Sequence, residues 1–278
     1  MSDALIICEK VLASKKYSML YSPLVLRVCE GECKKHPKKE QLKAVKSSLH
    51  TIYGAYGFGE IHKKANRLLD SLGSWQSEQN KSGLALQKDI FERVLSLHAS
   101  TRERMTYLTE FYGFIFEHIG SVESVLDIGC GFNPFTIPWF PVKGLEKYYA
   151  LDIDKATAEL NNRLFGLLGK PLLASCVDIV IETPPTAVEA AFLFKLLPVI
   201  ERQAKGRCIQ LLNEINAKFL VITYPTKSLS GKEKGMQEFY SATFEGMISS
   251  ATPAFRLVAK REIGNELVYI LSKSRSYM

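Results

Sequence analysis

Apolar residues recur at three- and four-residue intervals through the first quarter of the chain. "ALIICEKVLA" (4–13), "SPLVLRVCEGECKKH" (22–36) and "KEQLKAVKSSLHTIYGAY" (39–56) each place one apolar stripe on a helical period. That pattern predicts amphipathic helices over residues 3–70. Ser22-Pro23 reads as a helix start, with Ser22 as cap and Pro23 in the first turn. "LGSWQSEQNKSG" (72–83) is polar and breaks the period, so it reads as a linker or loop. From Leu84 the helical period resumes as two helices joined near His98-Ala99-Ser100, with Ser100 and Glu103 spaced as a capping box.

From residue 124 the pattern changes. Short apolar runs now alternate with helical stretches: "SVLDIG" (124–129), "KYYALDID" (147–154), "PLLASCVDI" (171–179), "AAFLFKLL" (190–197) and "KFLVITYP" (218–225). Strands separated by helical crossovers predict a parallel, doubly wound sheet. The tail "RLVAKREIGNELVYILSK" (256–273) reads as two strands around Gly264-Asn265, an antiparallel hairpin. The expectation is therefore an α/β, Rossmann-like sheet with a C-terminal antiparallel hairpin, preceded by an α-helical N-terminal domain.

Composition narrows this picture. The chain has 278 residues, 46% hydrophobic and 23% charged, enough for one large α/β domain and a smaller one. It has no apolar run of membrane-spanning length, and the amphipathic N-terminus carries acids and no cleavage-site pattern, so neither a membrane partner nor a secretory signal is expected. The six scattered cysteines make no zinc set, so no metal is expected, and a reduced, cytoplasmic chain is. The net charge is +7, and residues 1–70 hold thirteen Lys/Arg against seven Asp/Glu, which is +6 of it. A basic module beside a near-neutral one suits an anionic macromolecular partner; a solvated lysine-rich surface is the plainer alternative.

The candidate chemistry begins at "VLDIGCGFNPF" (125–135). In a doubly wound sheet, ligands sit at the carboxyl ends of the strands. Gly129 and Gly131 let the backbone pass close to a ligand. A dinucleotide loop would carry a third glycine and a helix N-terminus aimed at a pyrophosphate. Here Pro134 removes an N–H, and Asp127 would repel a phosphate. An acid suits a cationic ligand, and S-adenosylmethionine carries an α-ammonium and a sulfonium without phosphate. Asp152, 25 residues after Asp127, ends the next strand, where an acid commonly bonds ribose hydroxyls. Asp154 could also serve, although a helix N-cap suits it better. Asp178 ends the third strand, beside the expected adenine. Lys195 interrupts the fourth apolar run and faces the site or a phosphate. No acid stands ready as a base. Cys208, in a helical stretch, reads as packing. In "YPTKSLSGKEKGMQEFY" (224–240), three lysines lie on a Ser/Gly loop flanked by aromatics. That composition suits holding a flipped base, or is an ordinary surface loop.

Five segments together resemble the Arm/Rmt family of aminoglycoside-resistance methyltransferases: "LHASTRER" (97–104), "VLDIGCGFNPF", "LFKLLPVIER" (193–202), "YPTKSLSGKEKGMQEFY" and "IGNELVYIL" (263–271). "LASKKY" and "LHTIYGAY" fit that family's helical extension. The resemblance implies a class I methyltransferase that uses S-adenosyl-L-methionine, with S-adenosyl-L-homocysteine as product. The implied reaction is methylation of N7 of a decoding-site guanosine of 16S rRNA in the assembled small ribosomal subunit, which confers aminoglycoside resistance. It implies a helical, basic rRNA-docking domain over 1–83 and a methyltransferase domain over 84–278 whose lead-in, 84–120, is helical, working as a monomer. By matching position, Arg104 pairs with the methionine carboxylate, and His98 and Ser100 shape that junction. Asp127 and Gly129 line the methionine and ribose, Asp152 holds the ribose and Asp178 the adenine edge. Lys195, Arg202, Lys227 and Lys232 meet RNA around the target base, Met236 sits beside the flipped nucleotide, and Lys16 and Lys46 lie on the docking helices. Two alternatives stay open: a same-fold methyltransferase acting on another rRNA base, such as adenine N1, and a non-catalytic RNA-binding relic.

Overall fold

The computed structural model describes residues 2–53, 60–73, 81–226, 244–249 and 255–273. In chain order the helices are α1 (Asp3–Leu12), α2 (Ser22–Lys35), α3 (Lys38–Tyr53), α4 (Glu60–Gly73), α5 (Lys81–Leu95), α6 (Ala99–Arg104), α7 (Leu108–Ile119), α8 (Lys155–Leu167), α9 (Leu197–Gln203) and α10 (Arg207–Glu214). The strands are β1 (Ser124–Ile128), β2 (Lys147–Asp152), β3 (Ala174–Cys176), β4 (Val188–Phe194), β5 (Ala217–Pro225), β6 (Phe255–Ile263) and β7 (Glu266–Lys273). They form one sheet in the order β3-β2-β1-β4-β5-β7-β6. β2, β1, β4 and β5 run parallel, and β7 and β6 are antiparallel additions. The doubly wound sheet and the C-terminal hairpin are as expected.

By contact the chain groups into two compact units, Met1–Arg102 with Asp152–Asp178, and Glu103–Leu151 with Ile179–Met278. In the first, Val11, Leu24, Val25, Cys29, Val45 and Leu49 form the buried centre of α1, α2 and α3. These are the apolar stripes of the helical period. Main-chain bonds run from Tyr21 N–H to the Ile153 carbonyl (2.8 Å) and from Lys155 N–H to the Met19 carbonyl (2.8 Å). Arg163 on α8 donates to Asn66 Oδ1 (2.8 Å) and Asp70 Oδ1 (2.5 Å) on α4.

In the second unit the apolar runs of β1, β4, β5 and β7 are almost wholly buried. Burial on both faces is what continuous apolar strands require. Phe111, Tyr112, Ile115 and Phe116 of α7 complete this core.

Several local expectations change. Tyr21, not Ser22, occupies the cap position of α2; its N–H is tied to Ile153, and Ser22 is already helical with Pro23 next. α6 begins at Ala99, so Ser100 lies inside the first turn, and Glu103 bonds Lys195 and Asn265 instead of a cap. Of the expected loop at 72–83, residues 72–73 belong to α4 and residues 81–83 to α5; the rest lies outside the described residues. After β1 comes a 3-10 helix, Asn133–Trp139; two prolines, Pro134 and Pro138, deny it the α-helical ladder. β4 stops at Phe194, so Lys195 leaves the strand and takes a left-handed backbone, φ +55°.

Candidate active site

At the carboxyl end of β1, the Gly129 and Cys130 N–H groups donate to the Leu151 carbonyl at 2.8 and 3.0 Å. That pins the loop as it leaves the strand. Gly129 sits at φ +69°, and a Cβ there would stand 3.0 Å from Leu196 Cδ1. Only glycine takes that turn at no cost. Asn133 N–H is spent on Cys130 and Phe135 N–H on Phe132, while Pro134 has none. The start of the 3-10 helix thus spends these two N–H groups within its own turn.

Asp127 is buried, and its Oδ2 accepts from Tyr148 Oη (2.6 Å) and Asn133 Nδ2 (2.9 Å). Burial pushes its carboxyl up to about 6, against the lowering pull of those two bonds and of Arg104. Among the described residues its Oδ1 has no partner.

Arg104 is 1% exposed. Its Nε and Nη2 fork onto Glu266 at 2.8 and 2.9 Å, and Nη1 donates to Asn133 Oδ1 at 3.0 Å. Phe111 and Phe194 cover its guanidinium, with ring centroids 4.6 and 4.7 Å away. A guanidinium has five N–H donors, so two remain unspent among the described residues. Asn133 is the joint between the two charges. Its Oδ1 also accepts from Tyr112 Oη (2.8 Å), and its Nδ2 reaches Tyr148 Oη (3.2 Å). The donor set is thus a cation with two N–H groups to spare and an anion with one oxygen to spare, locked together by one amide. Such a pair complements an amino-acid zwitterion, which is the methionyl end of S-adenosylmethionine.

Lys195 Nζ pairs with Glu103 Oε2 at 2.8 Å and lies 3.6 Å from Glu266 Oε1. Arg202 is exposed on α9 and donates to the Pro198 carbonyl (3.1 Å). Lys227, Lys232 and Met236 lie outside the described residues. Cys208 is buried, its Sγ donating to the Leu197 carbonyl (3.2 Å), a packing role.

His98, Ser100, Asp152, Asp178, Lys16 and Lys46 belong to the first unit. His98 is buried between α5 and α6, where its carbonyl accepts from Thr101 Oγ1 (3.2 Å). Ser100 is half-buried in the first turn of α6. Asp152 is half-buried at the end of β2, its Oδ1 accepting the N–H groups of Ile153 (2.7 Å) and Asp154 (3.1 Å). Asp154 caps α8 through Ala156 N–H (3.0 Å) and also accepts from Tyr53 Oη. Its carboxylate is committed to the fold, the role its spacing favoured. Asp178 is buried, and Arg27 of α2 forks onto it at 2.5 and 3.1 Å. Lys16 and Lys46 are exposed; Tyr17 Oη donates to the Lys46 carbonyl (3.2 Å).

The sequence reading missed Asn133, Glu266 and Arg27. Glu266 left a trace: it is the acid at the head of the otherwise apolar run "LVYIL". Asn133 left none beyond preceding Pro134, which stands where a third glycine would.

The parallel sheet with an acid and a glycine turn at the end of its first strand, beside a buried arginine and aspartate joined by one amide, is the arrangement of a class I methyltransferase. The sequence model of the ribosomal RNA methyltransferase (FmrO) family matches residues 13–270, and the chain belongs to that family. It is 33% identical over 274 residues to a Proteus mirabilis 16S rRNA (guanine(1405)-N(7))-methyltransferase, covering 96% of each chain. It is 32% identical to the Serratia marcescens enzyme of the same name, covering 98% of each. Among solved structures it resembles 16S rRNA methyltransferase RmtF in complex with S-adenosyl-L-homocysteine, with TM-score 0.84 and 29% identity over 99% of both chains. It also resembles 16S rRNA methylase RmtB, with TM-score 0.80 and 28% identity over 98% of both. Among the described residues no helix is long and apolar enough to cross a membrane.

Proposed function

We propose that this protein transfers a methyl group from S-adenosyl-L-methionine to N7 of the 16S rRNA guanosine equivalent to position 1405 of its relatives. The observation that carries the cofactor half is the Arg104–Asn133–Asp127 set. The membership of the chain in an rRNA methyltransferase family carries the substrate half. Arg104 takes the methionine carboxylate on its spare N–H groups, and Asp127 takes the α-ammonium. Gly129 gives the backbone its close approach, and His98 and Ser100 shape the α5–α6 junction. Asp152 serves the ribose hydroxyls and Asp178 the adenine amine.

Bound S-adenosylmethionine supplies an electrophilic methyl on its sulfonium. Guanine N7 already carries an in-plane lone pair, so the protein needs no general base, and its contribution is proximity and orientation. N7 lies in the deep, narrow groove of A-form RNA, so the base is flipped out to react. Lys195, Arg202, Lys227 and Lys232 hold the RNA around it, with Met236 beside the base. Lys16 and Lys46 grip the RNA backbone from the docking helices of residues 1–83, and residues 84–278 carry the chemistry. The substrate is the assembled small subunit, and the protein works as a cytoplasmic monomer. The consequence is resistance to 4,6-linked aminoglycosides such as gentamicin and kanamycin.

Incubation with labelled cofactor and either assembled small subunits or free 16S rRNA tests this. Label entering assembled subunits alone is expected. No transfer, with calorimetry showing no cofactor binding, would instead favour the RNA-binding relic.

A further inference from the structure

The hairpin motif at Gly264-Asn265-Glu266 has no role in the reading above, yet it converges on that reading's two cations. Glu266 is wholly buried. Its Oε1 accepts from Arg104 Nε (2.8 Å) and lies 3.6 Å from Lys195 Nζ. Its Oε2 accepts from Arg104 Nη2 (2.9 Å) and Thr223 Oγ1 (2.7 Å). Thr223 in turn holds the Lys195 backbone: Lys195 N–H donates to the Thr223 carbonyl and to its Oγ1, both at 3.0 Å. Asn265 Nδ2 donates to Glu103 Oε2 (3.1 Å), the other anion on Lys195 Nζ. Tyr107 Oη donates to Asn265 Oδ1 and approaches Glu266 Oε1 (3.4 Å). The Asn265 carbonyl also accepts Thr226 N–H at 2.9 Å, just past the end of β5.

Two features set this apart from an ordinary buried ion pair. A buried charge cluster stabilises no better than apolar packing of equal volume, so stability alone is a weak reason for it. Lys195 also holds a left-handed backbone, φ +55°, which a non-glycine residue adopts only when its surroundings enforce it. Burial by itself would raise the Glu266 carboxyl, but Arg104 and Lys195 hold it below its usual range, so it stays anionic.

We infer that Glu266 is a positioning residue that fixes Arg104 on the cofactor side and Lys195 on the target-base side through one carboxylate. The inference rests on the roles proposed above for those two cations. By setting both ends from one point, Glu266 fixes the line from methyl donor to N7. A misplacement of about 1 Å costs roughly a hundredfold in rate.

The test is a double-mutant cycle on kcat with small subunits and labelled cofactor, using Glu266→Gln, Lys195→Ala and the double variant. Thermal unfolding and subunit binding are measured on each. Lys195→Ala is expected to lower kcat roughly a hundredfold and Glu266→Gln by ten- to a hundredfold. Subunit affinity with Glu266→Gln should stay within about twofold, because Glu266 is wholly buried and itself makes no contact with RNA. The double variant should lose less than the product of the two single losses, because the part of the Glu266 effect that runs through Lys195 is already gone. Losses that multiply, or an unchanged kcat in Glu266→Gln, would overturn the inference while leaving the role of Lys195 intact. A wild-type kcat in Lys195→Ala would instead overturn the reading beneath it, and the inference with it. If Glu266→Gln does not fold, Thr223→Val replaces it in the cycle: it removes the hydroxyl between Lys195 and Glu266 and keeps the side-chain shape. It should slow kcat several-fold, again by less than the full product with Lys195→Ala.

Discussion

Replacing Asn133 with alanine should weaken cofactor binding more than its effect on stability explains. The amide makes four hydrogen bonds: from Arg104 and Tyr112 to Oδ1, and from Nδ2 to Asp127 and Tyr148. Two of these involve charged partners, each worth about 1.5–3 kcal/mol. Arg104 keeps Glu266 and Asp127 keeps Tyr148, so the loss is buffered, and we expect about 2–4 kcal/mol of destabilisation. At roughly 2–4 °C per kcal/mol for a chain of this size, the melting temperature falls by about 5–15 °C. Binding loses the joint that holds the two charges in register. A loss of about one tenfold step, 1.4 kcal/mol, is expected even in the fully folded protein. Asp127 also loses one of the two donors that oppose its burial, so its carboxyl rises further above about 6 and is less ionised at neutral pH. The assay is calorimetry with S-adenosylhomocysteine well below the melting transition. Thr136→Val serves as control: Thr136 bonds Tyr112 and the Asn133 carbonyl without touching either charge. It should destabilise while leaving Kd unchanged. Wild-type affinity in folded Asn133→Ala would refute the zwitterion pair.

Cofactor affinity should fall about tenfold between pH 7 and pH 5, as Asp127 protonates around pH 6 and ceases to hold an ammonium. The fold does not share this loss: a carboxyl raised in the native state adds stability at low pH and surrenders it as pH climbs through 6. A Kd flat over this range would exclude Asp127 as the ammonium partner. Gly264→Ala should cost about 2–4 kcal/mol, read by denaturant unfolding, from overpacking and a positive φ. At φ +60° an added Cβ would lie 2.1 Å from Tyr107 Cε1, in a ring tied down by Asn265. A loss under 1 kcal/mol would mean that Tyr107 yields freely. Lys16→Ala and Lys46→Ala should each weaken subunit binding and reduce the slope of log affinity against log salt by about 1. Their cofactor Kd should match wild type; an unchanged salt slope would remove them from the docking surface.

The strands were legible because each is a short apolar run bounded by a turn, and burial on both faces demands such runs. Asp127 and Asp152 were legible at their strand ends for the same reason, because each interrupts or ends an apolar stretch; Asp178 lies two residues beyond the end of β3, where Arg27 holds it. Local capping was harder. Whether Tyr21 or Ser22 begins α2 depends on a bond to Ile153, far along the chain, that no local pattern encodes. Least legible were the joints. Arg104 and Glu266 stand 162 residues apart and meet through the packing of α7 and the hairpin on one sheet. The resemblance to a family singled out "IGNELVYIL" without a reason. Gly264 beneath Tyr107, Asn265 on Glu103 and Glu266 between two cations now supply one. Asn133-Pro134 likewise reads differently: Pro134 has no N–H to offer a phosphate, and Asn133 ties the two charges.

The most direct measurement is to map the modified nucleotide after incubating the protein with assembled small subunits and S-adenosylmethionine. Borohydride and aniline cleave the strand at N7-methylguanosine, and primer extension reads the position. We expect one new cleavage site, at the decoding-site guanosine equivalent to 1405 of the relatives, appearing only with cofactor. A methyl group on another base, such as adenine N1, or no modification at all, would contradict the proposed function.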